Sequence, residues 1–249
     1  MLEFNNVSVR IGEKQILRNV SFSVRPHRLT VLVGRNGSGK STLLAAANQQ
    51  IPYTGAILEG EKNLALLPSR ERAKTVAILP QTMPAPHVTA REMVGFGRNP
   101  YLDFTGRLTQ KDWQVVDAAL TDASATELAG RYVDTLSGGE LQRVRLAMIQ
   151  AQNTPIGLLD EPTSHMDQSH KAAFLELLTD LKKRNKKTFL VILHDLTLAA
   201  EYADDIVVLE EGKVVFAGTK EECLAGEIIE KTFSLKRYTA ENKFFFSAK

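Results

Sequence analysis

Short alternations of apolar and polar residues open the chain: Leu2 and Phe4, then Val20, Phe22 and Val24. They predict antiparallel strands leading into Thr30-Val31-Leu32-Val33, an apolar run of strand length. Ser41-Thr42-Leu43-Leu44 and the alanines after it read as a helix start. A short strand is expected between the turns at Gly55 and Gly60, and another over 75–79, closed by Pro80. From about residue 88 to 152 the pattern turns helical, punctuated at Gly95, Gly97, Pro100 and Gly106, with the clearest helices over 111–120 and 141–151. Strand and helix then alternate: a strand over 156–159, a helix face at Phe174, Leu177, Leu178 and Leu181, a strand over 188–193, a helix over 196–203 and a strand over 206–209. Glu210-Glu211-Gly212-Lys213 turns that last strand into Val214-Val215-Phe216 as a hairpin.

A chain of 249 residues holds one large α/β domain or two lobes, with ample core. A net charge of +2 gives no sign of wholesale nucleic-acid or membrane-surface binding. The basic stretch from Lys182 to Lys187 reads as the solvated end of a helix, where it complements the dipole. The single cysteine, Cys223, excludes an intrachain disulfide and a thiolate cluster, and reads as a small apolar or semi-exposed side chain. Met1-Leu2-Glu3-Phe4 shows neither a basic nor a long apolar segment, so no signal peptide is expected. Phe189 to Leu193 is a long apolar run, yet far short of the ~20 residues that span a bilayer.

The chemistry sits on the turns of this pattern. Gly34-Arg35-Asn36-Gly37-Ser38-Gly39-Lys40-Ser41 fits G-x-x-x-x-G-K-[ST], with a further hydroxyl at Thr42. A strand delivers the loop, and a helix N-terminus after it points free N–H groups at phosphate. In such a motif Lys40 neutralises the β/γ-phosphates and Ser41 holds Mg²⁺. Pro155-Ile156-Gly157-Leu158-Leu159-Asp160-Glu161 puts two acids at the C-terminal end of an apolar strand, where ligands of open α/β sheets sit. Asp160 is then a candidate for the metal and Glu161 for polarising water, the alternative being a strand that merely ends in two acids. Leu136-Ser137-Gly138-Gly139-Glu140-Leu141 opens a helix with a hydroxyl and unencumbered glycine N–H groups, a second anion site. Ser137 and Glu140 also make a capping box. One nucleotide has no obvious need for two cradles from one chain, which points to a shared site.

In this order the motifs resemble the nucleotide-binding subunit of an ABC transporter. Leu136-Ser137-Gly138-Gly139-Glu140 is similar to the family signature, whose last residue is more often Gln. The Q-loop glutamine falls on Gln81, the D-loop on Ser164-His165-Met166-Asp167 and the switch histidine on His194, so the likeness runs nearly the whole length. It implies an α/β P-loop NTPase with a RecA-like core, an antiparallel β portion and a helical subdomain at about 88–152, all within one domain over 1–249. ATP and Mg²⁺ are the implied cofactors. Gly34 to Thr42, with Ser137, Gly138, Gly139, Glu140 and Asp167, would surround the nucleotide; Ser41, Gln81 and Asp160 would surround the metal; Glu161, His194 and Gln81 would serve hydrolysis. The implied partners are a second copy of the chain placed head to tail, integral membrane permease subunits and, indirectly, a substrate-binding protein. Nucleic acid is not among them. The implied location is peripheral, on the cytoplasmic face of the inner membrane.

Phe96-Gly97-Arg98-Asn99-Pro100-Tyr101-Leu102 with Gly106-Arg107 resembles the importers of iron–siderophore, haem and cobalamin chelates, and Leu146 to Pro155 the ferric-dicitrate and siderophore members. A ferric siderophore is the substrate this implies, with coupling to the membrane subunits through Gln81 and the segment from Met83 to Tyr101, anchored by Met83, Phe96 and Tyr101. A soluble ABC protein of ribosomes or DNA would carry two cassettes or a coiled-coil insertion, and a GTPase or phosphotransferase would not need Ser137-Gly138-Gly139. The chain departs from the family pattern at three places. Ile11 stands where an aromatic usually stacks on adenine, Gly157 interrupts an apolar strand at some cost in strand propensity, and His165-Met166 replaces smaller and leucine-like residues.

Overall fold

The structure, a computed structural model, describes residues 1–164, 166–240 and 243–248. Two long strands, β1 (Leu2–Ile11) and β2 (Lys14–Val24), pair antiparallel and lead into β3 (Leu29–Val33). Next come α1 (Lys40–Ala47), β4 (Thr54–Glu59), β5 (Lys62–Asn63), α2 (Ser69–Thr75) and β6 (Val76–Leu79). The helical stretch is α3 (Ala90–Gly95), α4 (Gln110–Asp122) and α5 (Gly138–Ala151). Strand and helix then alternate as β7 (Ile156–Asp160), α6 (Gln168–Asn185), β8 (Thr188–Ile192), α7 (Leu196–Tyr202) and β9 (Asp205–Glu210). The remainder is β10 (Lys213–Thr219), α8 (Lys220–Ala225), α9 (Ile228–Phe233) and the hairpin β11 (Leu235–Ala240) with β12 (Lys243–Ala248).

The central sheet has the order β10-β9-β3-β8-β7-β6, parallel except for β10. Both faces of such a sheet are covered, so its strands read as unbroken apolar runs rather than alternations. On one face Leu32, Leu158, Leu190, Ile192 and Val207 pack with Leu43 and Leu44 of α1 and with the antiparallel sheet β2-β1-β4-β5, where Phe4 and Phe22 stack. On the other face Val31, Val33, Leu159, Phe189 and Val191 meet Phe174, Leu175, Leu178 and Leu181 of α6 and Leu198 of α7. A third core belongs to the helices: Met93 and Val94, Val116 and Leu120, Val144 and Ala147, with Met83 and Met148 touching the main core as well. Gly97 lies against α5 so closely that a Cβ there would be 2.1 Å from the Met148 carbonyl oxygen.

Several expectations needed correction. Thr75 ends a helix instead of opening the strand, because α2 runs straight into β6. Leu177 is only partly buried, and Leu175 takes its place on the inner face of α6. The basic stretch is not all solvated: Lys182 is buried against Asp204 at 2.5 Å, and Lys187 donates to the Thr154 carbonyl at 2.5 Å. Lys183 and Arg184 remain exposed at the helix end, as a dipole partner should. Of the expected membrane-subunit anchors, Met83 packs inward, and Tyr101 is tied by its hydroxyl to the Gln152 carbonyl under the Arg98 guanidinium. Phe96 is left outside, joined by the fully exposed Phe104. Cys223 is buried, and burial pushes its thiol up to about 12.

Gly157 has a use that the sequence did not disclose. It faces Phe189 across the β7–β8 pairing, and a Cβ on it would stand 2.8 Å from the ring. The missing side chain makes room for the largest residue of the neighbouring strand. Gly157→Ala is therefore expected to lower unfolding stability by about 1–3 kcal/mol through overpacking. Urea denaturation measures this, and Phe189→Leu in the same chain should recover part of the loss. A Gly157→Ala protein that unfolds at the wild-type midpoint would rule the ring out as the cause.

Candidate active site

The P-loop joins β3 to α1 and turns through Gly39 at a φ of 105°. Gly39 caps α1 with no side chain bonded to the helix end and no acid in the first turn, so the N–H groups there are free for an anion. Lys40 is 5% exposed, and its Nζ donates to the carbonyls of Gly34 at 2.8 Å and Arg35 at 3.1 Å. Burial lowers its pKa, while Glu161 and Asp160 oppose the shift. Ser38 Oγ is buried without a partner among the described residues, a costly arrangement that a phosphate oxygen would relieve.

The second acidic strand meets this loop. Asp160, the last residue of β7, accepts from Ser41 Oγ at 3.2 Å and is itself buried. Desolvation raises its pKa, the Ser41 bond lowers it, and neighbouring Glu161 adds to the rise. Glu161 leaves the strand with a φ of 47°, a left-handed conformation rare for a side chain of its size. Its carboxylate has partners other than Ser41. Its Oε2 accepts from Gln81 Nε2 at 2.7 Å and from Ser164 Oγ at 3.2 Å, and Oε1 faces His194 Nε2. Gln81 follows β6 and His194 follows β8, so three neighbouring strand ends meet on one carboxylate.

Gln81, Glu161 and His194 line one cleft of about 570 Å³ together with Asn36, Gly37, Gly39, Lys40, Ser41 and Thr42, within the usual size range of ligand pockets. Arg35 is exposed and contributes its carbonyl oxygen to Lys40. Two lining residues were missed: Lys14 and Ile16, both on β2. Ile11 ends β1, 55% exposed, and does not line the cleft. The alternation of β2 was legible, but nothing in it said which residues would overhang the loop. Gly212 was also missed as a neighbour of the site. Its N–H donates to the Ser38 carbonyl at 3.1 Å, and its own carbonyl accepts from Arg18 N–H at 2.8 Å.

The signature residues are elsewhere. Ser137 caps α5 and bonds reciprocally with Glu140; its backbone N–H and hydroxyl, with Arg131, hold that carboxyl down at about 2. Ser137, Gly139 and Glu140 border a separate hollow with Met166 and His170, and Gly138 begins the helix beside it. Asp167 caps α6 and is bonded to His170. None of these lines the P-loop cleft. His165 lies outside the described residues.

Residues 17–164 match the family model described as ABC transporter. The chain belongs to that family. This ABC cassette is 35% identical to the probable siderophore transport system ATP-binding protein YusV of Bacillus subtilis, over 96% of this chain and 88% of the relative. It is 41% identical to the hemin import ATP-binding protein HmuV of Pseudomonas aeruginosa, over 95% and 93%. Among solved structures, the dimeric MJ0796, a bacterial ABC transporter cassette, superposes with a TM-score of 0.76 at 25% identity, covering 88% of this chain and 99% of that one. The cassette is thus an ATP-binding, ATP-hydrolysing protein with the α/β fold expected of the family.

Gly212 gives the cleft a test outside its motifs. With a φ of 77° and a clearance of only 2.1 Å between an added Cβ and the Ile16 carbonyl oxygen, Gly212→Ala must back the hairpin away and release its bond to Ser38. ATP affinity, measured by equilibrium titration, is expected to fall. Gly60→Ala, at a positive φ with nothing within 4 Å of the added Cβ, serves as control and should leave affinity intact. Equal affinity in the two variants would mean that the hairpin does not brace the loop.

Proposed function

We propose that two copies of this cassette, head to tail, sandwich ATP and drive import of a ferric siderophore through separate membrane permease subunits fed by a binding protein. One observation carries the dimer: the P-loop cleft and the Ser137-Gly138-Gly139 turn, both built to meet phosphate, lie apart in one chain. A second copy brings the turn of one to the loop of the other, with Asp167 at the junction. The whole chain then acts as a single cassette, with the helical stretch from about 88 to 152 as a subdomain carrying the turn.

In this reading Lys40 exchanges its carbonyl partners for phosphate oxygens, and Gly34 to Thr42 wrap the phosphates. The hard oxygen donors Ser41 and Asp160, with Gln81, fit Mg²⁺ that arrives with the nucleotide. When bound, the cation neutralises charge on the β- and γ-phosphates. Glu161 accepts the proton of the attacking water, and Gln81 and His194, already on its two oxygens, orient it. No helix among the described residues is long and apolar enough to cross a membrane, which suits a peripheral subunit held at the cytoplasmic face of the inner membrane by its permease.

Support for the cargo comes from the relatives: siderophore import for one and hemin import for another. Haem is the second reading, favoured by the higher identity of the hemin relative. Nucleic acid is not a partner in either.

Glu161→Gln is expected to bind ATP, accumulate as a closed dimer on size exclusion and hydrolyse ~10²–10⁴ times more slowly. Lys40→Ala should weaken ATP binding itself, whereas Gly138→Asp should spare the affinity of the monomer and impair turnover. Wild-type turnover by Glu161→Gln would remove Glu161 from the proton-accepting role.

The cargo is tested by growth. Where this system is the only ferric-siderophore route, deleting its gene should abolish growth on the chelate and leave growth on free ferrous iron unchanged. Intact siderophore growth with loss of haem growth would transfer the assignment to haem.

A further inference from the structure

The N-termini of α5 and α6 converge at one imidazole. Asp167 Oδ1 accepts from the backbone N–H of His170 at 2.9 Å and from Ser169 Oγ at 2.7 Å, while Oδ2 takes the Nδ1 proton of His170 at 2.7 Å. That bond fixes the tautomer and turns the opposite edge of the ring outward. The edge lies against Gly139: a Cβ built there would be 3.1 Å from Cδ2, 3.6 Å from Cγ and 3.7 Å from Nε2. Behind the contact the two helices separate around a hollow of about 310 Å³, walled by Glu140 and Arg143 on one side and by Met166, Phe174 and Leu177 on the other.

We propose that His170 is a positioning residue that sets the separation between Asp167 and the signature turn of the same chain. The inference rests on the dimer reading, in which both segments face the partner copy. The ring contributes through its bulk: anchored to Asp167, it is a spacer that Gly139 abuts, so the two segments advance on the partner's nucleotide as one block. It also gives Gly139 a reason to lack a side chain within its own subunit, separate from any approach to phosphate. With its side chain 63% exposed, His170 contributes little to the buried core.

The test uses the full-length protein and three substitutions. His170→Ala should reduce kcat by about ten- to a hundredfold, the scale of an ångström-sized misplacement, while ATP affinity of the dilute monomer stays unchanged. His170→Phe keeps a ring against Gly139 without the Nδ1 donor and should restore most of kcat. His170→Asn keeps a side-chain donor for Asp167 but is too short to reach Gly139; it should stay slow. Should His170→Ala fail to fold, the Phe and Asn variants still carry the comparison. Rescue by Asn and not by Phe would assign the effect to the side-chain bond with Asp167 and overturn the proposal, as would wild-type kcat in His170→Ala or an equal loss of monomer affinity. Glu161→Gln, measured alongside, separates the two levels: if it turns over normally the hydrolysis reading fails, and if it is silent while His170→Ala is active only the spacer fails.

Discussion

Parallel pairing of β3, β8, β7 and β6 is the constraint on which the cleft depends. Their carboxyl ends finish along one edge, and each end releases one component: the P-loop, His194, the Asp160-Glu161 pair and Gln81. A strand advances about 3.3 Å per residue and alternates faces, so a slip of one residue would carry a group beyond hydrogen-bond reach and turn it to the other face. The Gly157–Phe189 fit makes the β7–β8 register specific, since the ring has room opposite one position only when that position lacks a side chain. Packing far from the nucleotide thus sets the geometry around it.

Much of this was legible before any coordinates. The loop motif carries its own context of strand and helix, and the acids at 160 and 161 fall where an apolar run stops. Other features were hidden for identifiable reasons. The left-handed turn at Glu161 is a backbone conformation that residue type does not encode, yet it divides two adjacent acids between two tasks. Lys182 sits in a basic stretch whose composition says solvent, and only the fold supplies Asp204 beside it. Ile16, Lys14 and Gly212 come to the cleft from β2 and from the far hairpin, contacts that no local pattern announces. Ile11 was readable as a position without an aromatic; that it would stand clear of the cleft was not.

The helical stretch follows a different logic. Capping boxes at Thr89, Thr109 and Ser137 fix where α3, α4 and α5 start, and the buried Arg98 pins the segment before α4 to Asp112 and to the Ala151 carbonyl at the end of α5. Force applied at Phe96 or Phe104 therefore has a short, stiff route to the helix that begins at Gly138. Rigid elements under the exposed Ser137-Gly138-Gly139 turn allow it to be carried as a body.

The bonds of Lys40 bear on how the loop receives a nucleotide. The amine of Lys40, bonded to the Gly34 and Arg35 carbonyls, ties the loop back on itself. An incoming nucleotide replaces two weak acceptors and does not have to order a floppy segment, so little conformational entropy is lost on binding.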